Sequence, residues 1–412
     1  MADEIFEHTF ENGLRLVAQK SSSALSAAIG IFVRNGARDE EPNESGISHL
    51  IEHMLFKGTK KRSALDLTYA ISNLGAQVNA FTSEEETAFY AAVLPEKLTD
   101  IENLLFEMME PSFPEADFEL EKKVVLEEIA QYQDRPQFCL FEKALKDYFG
   151  LHPSGNSILG TKRSVSAISH KQIQDFFKSH YGPSNIIVAA TGNFDWERLL
   201  KETAKYGILK ANGKPNRTLI RHNHNPIFRE YFREDLHQSH IILMAPAPSL
   251  RDKERYAFGV LCSVIGDVSG SRLYFDVVEP GLAESATMEH DEREDSGCVA
   301  LYSTTSLELA NKVADKMRAL LKNPLDFSEE EVERAKKKIR VRLVQGNEVP
   351  LGRLIGFGSD YLAFGVPISI QEHLDSFQAI SKKDIAKALE TFPLSEASEF
   401  RLTPSNGKNS PV

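Results

Sequence analysis

Along the first 200 residues the spacing of apolar positions switches repeatedly between two and three-to-four, so the chain reads as mixed α and β. Residues 14–19 and 24–34 alternate as strands do, with successive side chains on opposite faces. A helix is expected over about 45–56. Ser63 opens another, with Asp66 three residues on, close to a capping box. Residues 75–82 and 87–94 form an expected strand pair joined by the acidic turn Ser83-Glu84-Glu85-Glu86. Long helical patterns cover roughly 96–110, 115–133 and 137–149, and a buried strand is expected over 185–190.

The pattern breaks near the middle, where Lys210, Asn212, Gly213, Lys214, Pro215, Asn216 and Arg217 make a polar, turn-rich stretch. This divides the chain into domains at 1–207 and 226–412, with 208–225 as the linker. The second half repeats the first. Phe149-Gly150 precedes Ser166-Ala167-Ile168-Ser169-His170-Lys171 and a helix. Phe364-Gly365 precedes Gln378-Ala379-Ile380-Ser381-Lys382-Lys383 and a helix. Self-similarity at half the chain length implies a duplicated domain.

Composition narrows the function. With 48 basic against 60 acidic residues the formal net charge is −12, which argues against nucleic acid or an anionic membrane as partner. No stretch offers ~18 uninterrupted apolar residues, so no membrane span is expected. The acidic start Met1-Ala-Asp-Glu lacks the features of a signal or transit peptide. Three scattered cysteines, Cys139, Cys262 and Cys298, suit small buried hydrophobes in a reducing compartment, and the cytoplasm is the expected location.

The chemistry concentrates in Gly46-Ile47-Ser48-His49-Leu50-Ile51-Glu52-His53-Met54-Leu55-Phe56. On a helix His49 and His53 share a face with Glu52 beside them, while Leu50, Ile51, Met54 and Leu55 can enter a core. Two neutral imidazoles at this spacing suit a tetrahedral Zn²⁺. Glu52 would not bind the metal; it is placed to take a proton from metal-bound water. His-x-x-Glu-His is the inverse of His-Glu-x-x-His and is the inverzincin signature. Composition alone would yield such a pattern, with either acidic residue, about 0.05 times in this chain, so the match is informative. A catalytic zinc needs a third protein ligand and an open position. The expected helix 115–133 offers Glu119, Glu121, Glu127 and Glu128, of which Glu121 and Glu128 lie two turns apart on one face.

These blocks resemble the pitrilysin or insulinase-type zinc peptidases, in the branch of about 400 residues that includes mitochondrial processing peptidase β and bacterial relatives. The resemblance rests on His49-Leu-Ile-Glu52-His53 with Phe56-Lys57-Gly58-Thr59, then Gly75-Ala76-Gln77-Val78-Asn79-Ala80-Phe81-Thr82-Ser83 with Thr87 and Tyr90. It continues in Glu121-Lys-Lys-Val124-Val125-Leu126-Glu127-Glu128-Ile129 and in His152-Pro153 with Ile158-Leu159-Gly160. It implies that His49, His53 and Glu128 bind zinc, that Glu52 is the general base and that Glu121 supports the site without touching the metal. It also implies that Asn79 and Ala80 belong to an edge strand that holds the peptide substrate as an added strand.

The fold the resemblance implies is α+β, with two homologous domains. Each would be a mostly antiparallel sheet with helices packed on one face, and together they would form half of a clam-shell chamber. The implied activity is endopeptidase hydrolysis of unfolded peptides. One departure stands out. The family's second half carries an Arg and a Tyr around Leu-Arg-Glu-Lys-x-Gly-Leu-Ala-Tyr. Here Val277-Val278-Glu279-Pro280-Gly281-Leu282-Ala283-Glu284 is one residue shorter, with Val278 and Glu284 at those two places. The expected assembly is therefore a homodimer, or a heterodimer with a paralogue that carries the Arg/Tyr pair. A weak or non-catalytic subunit dependent on such a partner is the alternative.

Overall fold

The protein is described by a computed structural model over residues 4–206 and 217–405. Contacts divide it into two compact units, Met1–Ala130 with Asn156–Thr218 and Val344–Ile370, and Gln131–Gly155 with Leu219–Leu343 and Gln371–Val412. The strands of the first unit are β1 (Glu4–Thr9), β2 (Arg15–Lys20), β3 (Ala27–Val33), β4 (Gln77–Thr82), β5 (Thr87–Val93) and β6 (Ile186–Gly192). They form one sheet in the order β1-β2-β6-β3-β5-β4, and only β2 and β6 run parallel.

The second unit has β7 (Phe228–Arg233), β8 (Ser239–Ala247), β9 (Ser285–Glu292), β10 (Gly297–Thr305) and β11 (Ser398–Pro404). Their order is β7-β11-β8-β10-β9, again with one parallel pair, β7 and β11. Without β1, the first sheet has the same order and the same single parallel pair. The duplication inferred from the sequence is thus present as two α+β units of one plan.

β3 shows how the first sheet holds two cores. All seven of its residues are buried. Ala27, Ile29, Ile31 and Val33 face one side, and Ala28 and Phe32 the other. On the first side lie the helix Ile47–Leu55, here the motif helix, and Glu115–Gln133, the glutamate helix. The second side is covered by Pro350–Phe364, which places Leu354, Phe357 and Tyr361 on Phe32, Ala28 and Ile187. A Cβ on Gly358 would lie 2.3 Å from the Phe32 ring, so only glycine lets this helix lie so close.

The second unit does the same with Pro136–Phe149, which sets Leu140, Ala144 and Tyr148 against Ile242, Met244, Phe400 and Leu402. Two expectations are corrected here. Each sheet has helix on both faces, not one. Residues 131–155 and 344–370 also belong to the unit opposite to their half of the sequence. The physical reason is that both sheet faces are apolar, and an amphipathic helix pattern shows that a helix needs a partner without showing which sheet supplies it. Of the expected linker, 208–216 lie outside the described residues, and Arg217 is anchored by Asp39. Among the described residues no helix is long and apolar enough to cross a membrane.

Candidate metal centre

The motif helix is fixed at its start by Glu40, six positions before its N-cap and eight before Ser48. Its N-cap, Gly46, has φ +93° and offers no side chain. Glu40 supplies the cap instead: Oε2 accepts from Gly46 N at 2.7 Å and Oε1 from Ser48 N at 2.8 Å. Burial pushes the Glu40 carboxyl up to about 8, against these two hydrogen bonds. Ile47, Leu50, Ile51, Met54 and Leu55 are fully buried, a stripe at spacings of three and four. That stripe fixes the rotation of the helix and leaves His49, Glu52 and His53 on the other side.

The glutamate helix is held by Phe118, Val125 and Ile129, which bring Glu121 and Glu128 toward the histidines. Glu128 Oε2 lies 3.8 Å from His49 Nε2 and 3.6 Å from His53 Nε2. One ligand atom from each of these three residues falls within 4.8 Å of the others. Glu127 is exposed, as is Glu119. Glu121 is buried and lies second in line: Oε2 is 3.1 Å from His53 Nδ1 and Oε1 is 2.8 Å from Lys57 Nζ. Glu52 is anchored elsewhere, since its Oε2 accepts from the Thr82 hydroxyl at 2.5 Å. Burial raises the Glu52 carboxyl above the usual range, with Thr82 and His53 opposing and Glu128 adding.

These donors fit a zinc ion. Ligands at about 2.0–2.1 Å around a tetrahedral ion lie about 3.3–3.5 Å from each other, close to the 3.6 and 3.8 Å found between the imidazole nitrogens and Glu128. Those separations are too long for hydrogen bonds, so the lone pairs are not satisfying each other. Burial, and then His53, push His49 down to about 3, which makes it the neutral imidazole a metal requires.

The other sequence-derived positions fall as follows. Asn79 and Ala80 lie on β4, which is paired on one side only, by β5, and so is the sheet edge. Ala80 N donates to Asn79 Oδ1 at 2.9 Å. Val278 is partly buried against the core of the second unit at the end of a short π-helical turn, Tyr274–Val278. Glu284 is exposed and accepts from Gln238 Nε2 at 2.9 Å. Three residues that hold the site, Glu40, Lys57 and Thr82, had no role assigned from the sequence. Thr82 could have been found from strand period, because it shares a face with Val78 and Ala80. Glu40 and Lys57 depend on contacts that local pattern does not record.

Comparison with known proteins places this geometry in context. Residues 15–162 match the family model for insulinase (peptidase family M16), and residues 167–339 match that for the peptidase M16 inactive domain. An uncharacterized zinc protease of Streptomyces coelicolor is 31% identical over 391 residues, covering 92% of this chain and 84% of its own. One from Bacillus subtilis is 30% identical over 383 residues, covering 92% and 93%. Among solved structures, a protease from Helicobacter pylori superposes with TM-score 0.90 at 20% identity, covering 98% of this chain and 100% of its own. A peptidase M16 inactive domain from Pseudomonas fluorescens gives 0.89 at 16%, covering 99% and 100%. At such identities the two structures speak for the fold alone.

Proposed function

The chain belongs to the insulinase-type peptidases of family M16, and on that premise we propose that it is a zinc-dependent endopeptidase of unfolded peptides. The observation that carries the reading is the convergence of His49, His53 and Glu128 beside a fourth side chain, Glu52, that Thr82 holds outside the ligand group. His49, His53 and Glu128 would hold the metal. Zinc, when bound, supplies Lewis acidity that polarises a peptide carbonyl and lowers the pKa of water toward ~7. Glu52 takes the proton of the attacking water and returns it to the leaving amine. Glu121 accepts from His53 Nδ1, which leaves Nε2 free as a ligand atom. β4, with Asn79 and Ala80, offers its open edge to an extended substrate backbone. Hydrolysis of an unstructured peptide by the purified chain tests this. It should stop with a chelator, return with zinc and be absent in His53→Ala.

A second reading follows from Val278 and Glu284. Without the Arg/Tyr pair the chain binds zinc but aligns substrate poorly, and alignment can contribute several kcal/mol to a barrier. It then reaches full activity only as a heterodimer with a paralogue that carries both residues. A peptidase assay of the zinc-loaded chain, alone and mixed with such a paralogue, with a solution mass measurement, separates the two readings. Full activity from the chain alone removes the second.

A further inference from the structure

Of the two histidines, only one has its outer nitrogen anchored. His49 Nδ1 is buried without a hydrogen-bond partner, whereas His53 Nδ1 faces the Glu121 carboxylate at 3.1 Å. A histidine that presents Nε2 to a metal must carry its proton on Nδ1, and an acceptor there fixes both the tautomer and the direction of the ring. Glu121 is that acceptor, and its side chain is only 4% exposed. A carboxylate so far from water holds its orientation only if its second oxygen is also satisfied. Lys57 Nζ lies 2.8 Å from that second oxygen, and its own side chain is 33% exposed.

Lys57 reaches this place because of how the motif helix ends. Phe56 caps the helix, Lys57 N still donates to Met54 O at 3.0 Å, and Gly58 with φ +117° then turns the chain away. The lysine therefore leaves from the last turn of the helix that carries His53, while Glu121 comes from the glutamate helix. The ammonium ties the two helices together through the carboxylate that His53 also uses.

We propose that Lys57 is a positioning residue for the metal centre, acting on His53 through Glu121. The inference rests on the reading of His53 as a ligand. It makes a prediction whose sign is opposite to that of simple electrostatics. Removing a positive charge near a cation site should tighten zinc binding on Coulombic grounds. If the lysine acts by orientation, its removal weakens binding.

The test is the zinc affinity of the full chain, measured by competition with a chromophoric chelator, with the thermal stability of each metal-free variant recorded alongside. Lys57→Met should weaken zinc binding about 10-fold, the lower end of what loss of an outer partner to a metal ligand causes. Lys57→Arg should restore it. Glu121→Gln should weaken it by at least as much, and adding Lys57→Met to Glu121→Gln should cost nothing more, because the lysine has no other route to the metal. Unchanged or tighter binding in Lys57→Met overturns the proposal, as does a loss that Lys57→Arg does not repair. An undiminished loss in the Glu121→Gln background overturns it too. Wild-type protein with no zinc affinity that depends on His53 overturns the reading of the site itself, a result distinct from these.

Discussion

The motif helix and the helix Arg255–Gly266 have comparable stations in the two sheets, one packed against edge strand β4 and the other against edge strand β9. Their surfaces differ. The motif helix buries one stripe and turns His49, Glu52 and His53 away from it. Its counterpart buries Ala257, Phe258, Val260, Leu261, Cys262, Val264 and Ile265, and between Tyr256 and Gly266 it has no histidine or acidic residue. The second unit thus builds the same sheet and packs a helix on the same strand with none of the site chemistry. His49, Glu52, His53 and Glu128 are thus additions to a plan that the second unit builds without them, and site and scaffold should fail separately.

The largest separation is expected at the ligands. His49→Ala, His53→Ala and Glu128→Gln should each lose bound zinc while the metal-free proteins melt like wild type. Glu127→Gln, on an exposed side chain, should keep its zinc. Metal analysis with calorimetry of chelated samples checks both halves.

The scaffold breaks elsewhere. Leu140 and Leu354 are fully buried on Pro136–Phe149 and Pro350–Phe364, the helices that cover the second face of each sheet. Leu140→Ala and Leu354→Ala should each cost about 2–5 kcal/mol in denaturant unfolding, with zinc content unchanged in the folded protein. If only one of the two destabilises, the two units are not equivalent supports.

A smaller effect concerns the base. Thr82→Val removes the donor to Glu52 without touching a ligand. A hydrogen bond to a charged group is worth about 1.5–3 kcal/mol, so kcat should fall about 10–100-fold while KM and zinc content stay.

A graded effect, read as a slope with pH, lies in the scaffold of the first unit. Glu102, buried and bonded by Thr203, has its carboxyl pushed up to about 8 by burial. Its folded pKa is above its unfolded one, so it favours folding fully below about 4.5, and this is lost as pH rises toward 8. In Glu102→Gln the fall in stability with pH should be shallower by roughly 1 kcal/mol per pH unit across that window. Equal slopes in urea titrations at several pH values would contradict this.

How far the sequence went follows from the reach of each signal. The pair 75–82 and 87–94, the Ser63–Asp66 capping box and the helix 115–133 depend on neighbours in the chain, and each is present as β4 with β5, as a closed box and as Glu115–Gln133. The repeated Phe-Gly marks proved to be the ends of the two crossing helices, at Gly150 with φ +58° and Gly365 with φ +71°. The pattern therefore found the helices but not their sheets. β1 is not legible in the sequence because its residues are almost all exposed, which leaves no buried alternation to read. The role of Lys57 is not legible in the sequence, since its partner Glu121 meets it only when two helices pack.

Glu52 separates metal binding from proton transfer most directly. Glu52→Gln leaves His49, His53, Glu128 and the helix intact and removes only the proposed base. Measured together on the purified variant, zinc content should remain about one per chain as in wild type, while peptide hydrolysis falls by roughly 10²–10⁴-fold. Hydrolysis at the wild-type rate, or loss of zinc as complete as in His53→Ala, would contradict the roles assigned to this helix.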